Sequence, residues 1–475
     1  MKVLAAASEL YPLVKTGGLA DVAGALPPAL AKHGIEVRTL LPGYPAVLAG
    51  LGEAEAVYAM PALHGGPARV LAARVAGLDL FVLEAPHLYQ RPGNPYSGPD
   101  RADWPDNPQR FAALARVAAD IGLGAVPGWV PAAVHCHDWQ TGLAPAYLAA
   151  AGGARPRTVM TIHNLAFAGQ APMALWRELG VAPAMLGIAG VEFFGTIGFL
   201  KAGLFYADAI TTVSPSYAAE IQTSAFGCGL EGLLTDRADV LRGILNGVDE
   251  AVWDPWTDPH LGNRFRRGHL RNKPKCKAAL QASLGLQEQS GAPLYGIVSR
   301  LTGQKGMDLV LGNLATLLAN GAQLAVLGSG EPGLENAFCD AAAQHPGQVA
   351  AVIGYDEALS HKMMGGTDAL LVPSRFEPCG LTQMAAMRYG SIPVVTRVGG
   401  LADSVVDANA AAVRAGAATG VTTDPSPLGL QRALTRTAAL WADRPAWASM
   451  QRAGMAADVG WSAAAAQYAE LLGAQ

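Results

Sequence analysis

Short apolar or β-branched runs alternate with Ala- and Leu-rich helical runs from one end of this chain to the other, and that alternation leaves few folds open. A parallel strand pair needs a crossover long enough to hold a helix, so a repeated strand–helix order implies parallel sheets covered on both faces. In the first half the expected strands are Lys2–Ala7, Glu36–Leu41, Val70–Val75, Leu80–Glu84, Ala133–His137, Thr158–His163, Ile210–Val213 and Arg242–Leu245, with a hairpin turn at Gly77-Leu78-Asp79. A second set comprises Leu294–Ser299, Gln323–Gly328, Val349–Ile353, Ala369–Val372 and Pro393–Thr396. Between the sets lies a segment rich in Asp, Pro and Trp, Asn246 to Asn272. With 475 residues the chain is too long for one core. The expected fold class is α/β, with two doubly wound Rossmann-like domains facing a central cleft: residues 1–245, residues 246–455, and a C-terminal helix in 456–475 crossing back to the first domain.

Composition narrows the function classes. Hydrophobic residues make up 51% and charged residues 15%, which suits a globular chain, and a net charge of −4 offers nucleic acid no bulk attraction. Seven Lys or Arg and no acid fall between Arg264 and Lys277; an exposed loop-helix face is expected there rather than a polyanion site. The five cysteines are widely spaced and contain no CxxC, as in a reduced, cytoplasmic protein. The apolar run that opens the chain ends at Glu9, too early for a signal peptide, and no stretch is suited to span a membrane.

The residues with chemical promise stand where strands are expected to end, the edge at which open α/β sheets bind ligands. Ser374-Arg375-Phe376-Glu377-Pro378-Cys379-Gly380-Leu381-Thr382 joins a buried strand to a helix and places a carboxylate on the turn. Gly380 allows close approach, and Leu381 and Thr382 offer N–H groups at a helix start, where anions are favoured. Arg300 and Lys305 follow another strand and suit a diphosphate, Arg by forked hydrogen bonds and Lys by charge. Tyr355 ends a third and could stack on a nucleobase. In the first half, Lys15-Thr16-Gly17-Gly18 precedes a helix from about Leu19 to Lys32 with the logic of a phosphate loop, although it fits neither the dinucleotide nor the P-loop pattern. His135-x-His137 lacks the further ligands that zinc requires. Asp138 and Trp139 read as sugar-facing groups, a carboxylate for hydroxyls and an indole for a ring face, with His163 and Asn164 on the same rim. No Asp-x-Asp pair is present to hold Mg²⁺ on a diphosphate, so a nucleotide-sugar leaving group would be neutralised by Arg300, Lys305 and helix N-termini, with no metal or other cofactor.

Taken in order, these motifs resemble the bacterial glycogen (starch) synthases. Lys15 to Val22, Asp103 to Asn107, His135 to Trp139, His163 to Phe167, Phe199 to Gly203, Thr212 to Pro215, Gly227 to Leu230, Leu245 to Asp249, Ser299 to Gly306, Ser374 to Gln383 and Gly399 to Asp403 carry the resemblance. It implies a glycosyltransferase B-type fold and a retaining transfer of glucose from ADP-glucose to an α-1,4-glucan. By the same resemblance Lys15 binds the donor, Arg300 and Lys305 its diphosphate, and Tyr355 its adenine. Glu377 holds the transferred glucose, surrounded by Cys379, Gly380, Leu381 and Thr382. Asp21, Tyr96, Asp138, Trp139, His163 and Asn246 line the sugar and acceptor side; Gly18, Asp21 and Asn246 also serve the donor, and Asp138 and His163 join Glu377 as catalytic residues. Ala385 stands eight residues after Glu377, where some related transferases carry a second Glu, so other groups must hold the ribose. Two rival readings are a synthase using UDP-glucose and a non-catalytic glucan- or nucleotide-binding relative; a phosphorylase is disfavoured because its cofactor-lysine motif is not apparent.

Overall fold

The computed structural model describes residues 1–100 and 102–473. The chain forms two compact units, Met1–Asn246 with Trp461–Gln475, and Gly247–Gly460. The last helix, Ser462–Leu472, belongs to the first unit; residues 456–460 stay with the second, where the Val459 carbonyl accepts from Val248 N–H.

The first unit is built on a nine-stranded sheet. Its strands are β1 (Lys2–Ala6), β2 (Glu36–Pro42), β3 (Ala54–Leu63), β4 (Gly66–Val75), β5 (Leu78–Glu84), β6 (Ala133–His137) and β7 (Arg157–Ile162). A small sheet of β8 (Gln170–Pro172), β9 (Glu192–Phe193) and β10 (Thr196–Gly198) intervenes before β11 (Ala209–Thr212) and β12 (Leu241–Gly243) complete the large one. The order β12-β11-β7-β6-β1-β2-β5-β4-β3 is parallel as far as β5. At the edge β4 and β3 are antiparallel, β4 pairing with β5 through the hairpin expected from the sequence. The hairpin turn is one residue earlier than expected: Ala76 and Gly77 carry the positive φ angles, while Leu78 and Asp79 already lie in β5. Val3, Ala5, Val37 and Val159 pack with helix Gly18–Ala31 and with Tyr468, Ala465 and Leu472 of the last helix.

The second unit holds a six-stranded parallel sheet of β13 (Leu294–Val298), β14 (Gln323–Gly328), β15 (Val349–Ile353), β16 (Ala369–Val372), β17 (Ile392–Thr396) and β18 (Val421–Thr423). Its order, β15-β14-β13-β16-β17-β18, reverses direction between β13 and β16, a topological switch point. The strands are nearly continuous runs of Leu, Val, Ile and Ala because helices cover both faces.

In the basic segment from Arg264 to Lys277, Arg264, Arg266, Arg267, Arg271 and Lys275 form the exposed face expected, but two lysines depart from it. Lys273 and Lys277 are buried on helix Lys273–Ser283, one turn apart and on the side that carries Cys276 and Leu280. Their stems lie in the core and their ammonium groups find acceptors, the Gly365 carbonyl for Lys273 and Asp368 at 2.7 Å for Lys277. Burial pushes the Lys273 pKa down to about 8.

A second buried cluster fixes the segment after Gly247 to the sheet-covering helices. Asp258 accepts from His361 Nδ1 at 2.8 Å and from the Tyr389 hydroxyl at 2.5 Å, and the Trp253 indole stacks on His361 at 4.1 Å. Burial opposes a charge on His361, but Asp258 and Glu357 outweigh it and raise its pKa to about 9. A raised folded pKa means that this stabilisation is complete below the unfolded value near ~6.5 and disappears as pH rises through about 9. Thermal melts of wild type and His361→Gln should therefore differ most at about pH 6 and converge towards about pH 9.5. A pH-independent gap would show that His361 acts by packing alone.

Candidate active site

In the second unit the ends of β13 and β16 bring together residues far apart in sequence. Glu377 is 6% exposed, and its Oε2 accepts from Lys305 Nζ at 2.5 Å and from Ser374 Oγ at 2.9 Å. The loops that carry this pair are fastened to each other. Arg375 forms a two-pronged ion pair with Asp308, 2.7 Å on each arm, and its N–H donates to the Gln304 carbonyl at 2.8 Å. Gln304 Nε2 in turn donates to the Phe376 carbonyl. Gly306 takes φ 69°, and a Cβ there would stand 2.1 Å from the Pro373 carbonyl oxygen, so only glycine lets the Lys305 loop lie this close. Arg300 is exposed and reaches Gln304 Oε1 at 3.3 Å. Tyr355 is 72% exposed beyond β15, its hydroxyl bonded to Glu357. Cys379 and Gly380 present their carbonyls to Gln383 Nε2, and Leu381 and Thr382 begin the next helix.

In the first unit the organiser is a residue the sequence did not single out. Glu9, buried just after β1, accepts from Thr16 N–H, from Thr16 Oγ1 at 2.6 Å and from Gly17 N–H at 3.3 Å, and the Tyr96 hydroxyl also donates to it. Two amides that a phosphate loop would offer to a ligand are thus already committed to a carboxylate. The loop instead presents Lys15, paired with Asp21 at 2.9 Å, and Gly18, which opens the helix. Tyr96, expected on the acceptor side, is tied through Glu9 to this loop.

Asp138 and Trp139 depart from the sugar-facing picture. Asp138 adopts φ 55° and ψ −175°, a region almost reserved for glycine. Its Oδ1 accepts from His163 N–H at 2.6 Å and Asn164 N–H at 3.3 Å, so the carboxylate holds the backbone of the next strand end. Burial raises the Asp138 pKa to about 7 against the pull of these two N–H groups, with the nearby Glu9 charge adding to the rise. The Trp139 indole meets Phe111 and Phe199 edge-on, and Gly169 covers one face so closely that a Cβ would stand 2.1 Å from the ring. Its position supports the rim rather than offering an open platform. His163 Nε2 shares a proton with His137 Nδ1 at 2.9 Å, and burial lowers the pKa of both rings, that of His137 to about 4. Asn246 is 5% exposed, with its side-chain oxygen buried and unpartnered. Among the described residues no group of three or more His, Cys, Asp or Glu stands close enough to hold a metal ion.

Comparison with known proteins agrees with this geometry. Residues 2–236 match the family model of the starch synthase catalytic domain, and residues 285–427 match that of glycosyl transferases group 1. The chain is 57% identical to a glycogen synthase of Rhodopseudomonas palustris (strain BisB18), over 98% of this chain and 96% of that protein. It is 50% identical to a glycogen synthase of Mesorhizobium japonicum, over 99% and 98%. The chain belongs to the glycogen and starch synthase family. Among solved structures it matches the catalytic domain of starch synthase IV from Arabidopsis thaliana, bound to ADP and acarbose, with TM-score 0.87, 32% identity and coverage of 99% and 98%. A sucrose-phosphate synthase from Thermosynechococcus elongatus matches at TM-score 0.60 and 17% identity over 99% of this chain and 98% of that one, a likeness of fold. The fold is the glycosyltransferase B type, and the chain is a glucosyltransferase.

Glu9, Ser374, Arg375 and Asp308 are the functional neighbours that sequence reasoning missed. Arg375 and Ser374 sit inside the segment that carries Glu377, and Asp308 lies three residues after Lys305; only the fold reveals the pairing. Glu9→Ala should free the Lys15 loop, lower kcat/KM for the donor on the order of ten- to a hundredfold, and lower the melting temperature as its buried donors lose their acceptor. Asp138→Asn should gain stability relative to wild type as pH rises from about 5 to about 8, because it removes a charge that burial disfavours above the raised pKa. Melts at the two pH values check the sign: a mutant-minus-wild-type difference in melting temperature that falls as pH rises contradicts it.

Proposed function

We propose that this chain transfers glucose from ADP-glucose to the non-reducing 4-hydroxyl of an α-1,4-glucan such as glycogen, with retention of configuration and release of ADP. The observation that carries this reading is the Lys305–Glu377 pair, its carboxylate buried and its lysine half-buried, near Arg300 at the strand ends of the second unit. A carboxylate and a lysine in contact can divide between the two charges a nucleotide-sugar develops: positive on the anomeric carbon, negative on the leaving diphosphate. The relatives named glycogen synthase support the glucan acceptor, and the starch synthase bound to ADP supports the nucleotide.

In this reading the donor diphosphate takes Lys305 from Glu377 and is clamped by the Arg300 fork, while the backbone of Cys379 to Thr382 surrounds phosphate and sugar. Tyr355, exposed and held by Glu357, lies against the adenine. Glu377, released from its lysine, favours positive charge on the glucose. The acceptor 4-hydroxyl attacks the anomeric carbon as the bond to the diphosphate oxygen breaks, and its proton passes to that departing oxygen. Attack and departure share one face of the sugar, which gives retention without a carboxylate nucleophile. By the family resemblance, Lys15, Gly18, Asp21 and Asn246 of the first unit serve the donor and Tyr96 and His163 the sugar and acceptor, while Asp138 and Trp139 act on them as supports. Lysine and arginine supply the charge neutralisation, so the reaction needs no metal.

ADP release from ADP-glucose with glycogen, in the presence of EDTA, tests the reading. Undiminished turnover that adds α-linked glucose is expected, with UDP-glucose slower by about tenfold or more. Faster turnover with UDP-glucose would reassign the donor, loss with EDTA would reassign the chemistry, and binding of both ligands without ADP release would make the chain a glucan-binding relative.

A further inference from the structure

The hairpin of β9 and β10 carries a residue that folding alone does not ask for. Phe193 pairs with Thr196, so Phe194 and Gly195 form a two-residue loop, with φ 46° and 80°. Such a loop favours Asn, Asp or Gly at its first position, since both residues need positive φ, and a bulky side chain there is a true outlier. Phe194 is nevertheless 78% exposed, so burial does not repay the strain. Its ring is seated rather than loose. It meets Phe193 edge-on at 4.8 Å and lies over Gly229, where a Cβ would stand 2.8 Å from the ring.

The hairpin is also firmly built into the acceptor side of the first unit. Lys201 Nζ donates to the Ile188 and Glu192 carbonyls. Phe199 N–H donates to the Gly169 carbonyl and Leu200 N–H to that of Ala168, so the chain leaving β10 is anchored to the loop that follows His163. The same loop exposes a second ring, Phe167, at 52%. Trp139, whose indole Gly169 covers, leaves these rings as the open aromatic surface of the region.

We propose that Phe194 is a stacking platform for α-glucan, binding sugars of a long acceptor chain remote from the one that reacts. A pyranose presents a face of C–H groups that packs on an aromatic ring, and a rigid exposed ring binds it at little entropic cost. The proposal rests on the glucan-synthase reading above.

The test uses the full chain and its Phe194→Asn and Phe194→Tyr variants in affinity electrophoresis through glycogen, which requires no turnover, and in ADP release with glycogen or maltotriose as acceptor. Phe194→Asn should melt at a higher temperature, since Asn suits the turn, yet bind glycogen about three- to tenfold more weakly and show a matching rise in KM for glycogen. Its kinetics with maltotriose and its KM for ADP-glucose should match wild type, and Phe194→Tyr should retain glycogen affinity. Unchanged glycogen affinity in Phe194→Asn, or equal loss in Phe194→Tyr, would overturn the proposal. Wild-type ADP release with maltotriose reports separately on the reading beneath it.

Discussion

The contact between Lys305 and Glu377 is the constraint around which the second unit is arranged. Ion pairs this deeply placed are costly to desolvate and persist where further hydrogen bonds hold them. Here Ser374 supplies one to the carboxylate, the Arg375–Asp308 fork locks the two loops together, and Gly306 lets them approach. The parallel sheet places both loops at one edge because β13 and β16 are neighbours at the switch point. Sequence separation of 72 residues is thereby reduced to a single hydrogen bond.

The first unit repeats the device in another form. There a buried carboxylate, Glu9, orders a loop that carries a lysine, and Lys15 rests on Asp21. In each unit a cation suited to phosphate is held on a carboxylate. In the proposed reading, a diphosphate at Lys305 exchanges one anionic partner for another, which costs less than recruiting a solvated, mobile lysine. Asp138 extends the theme: a buried carboxylate in strained backbone geometry holds the strand end that presents His163.

Much of this fold is legible in the sequence because buried parallel strands are short apolar runs; Ala133–His137, Gln323–Gly328, Val349–Ile353 and Ala369–Val372 match to the residue. The strand Ala54–Leu63 was not, since it is an edge strand, largely exposed and rich in Ala, with neither an apolar run nor clean alternation. The three-residue strands Gln170–Pro172, Thr196–Gly198 and Val421–Thr423 are too short to carry a pattern, whereas Leu241–Gly243 was expected to begin one residue later, as Arg242–Leu245. Strand-end residues such as Glu377, Arg300 and Lys305 could be read from their place after apolar runs. What a side chain touches could not. The cover that Gly169 forms over Trp139, the backbone amides that occupy Asp138, and the carbonyl that receives Lys273 all come from segments distant in sequence.

The central claim is that Glu377 acts on the sugar and is not merely the counter-ion that positions Lys305. ADP affinity and turnover measured together on Glu377→Gln separate the two. If the claim holds, ADP binds as tightly as to wild type or more so, because Lys305 no longer has a carboxylate partner, while kcat falls on the order of a thousandfold. A parallel loss of ADP affinity and turnover, or turnover near the wild-type rate, would contradict it.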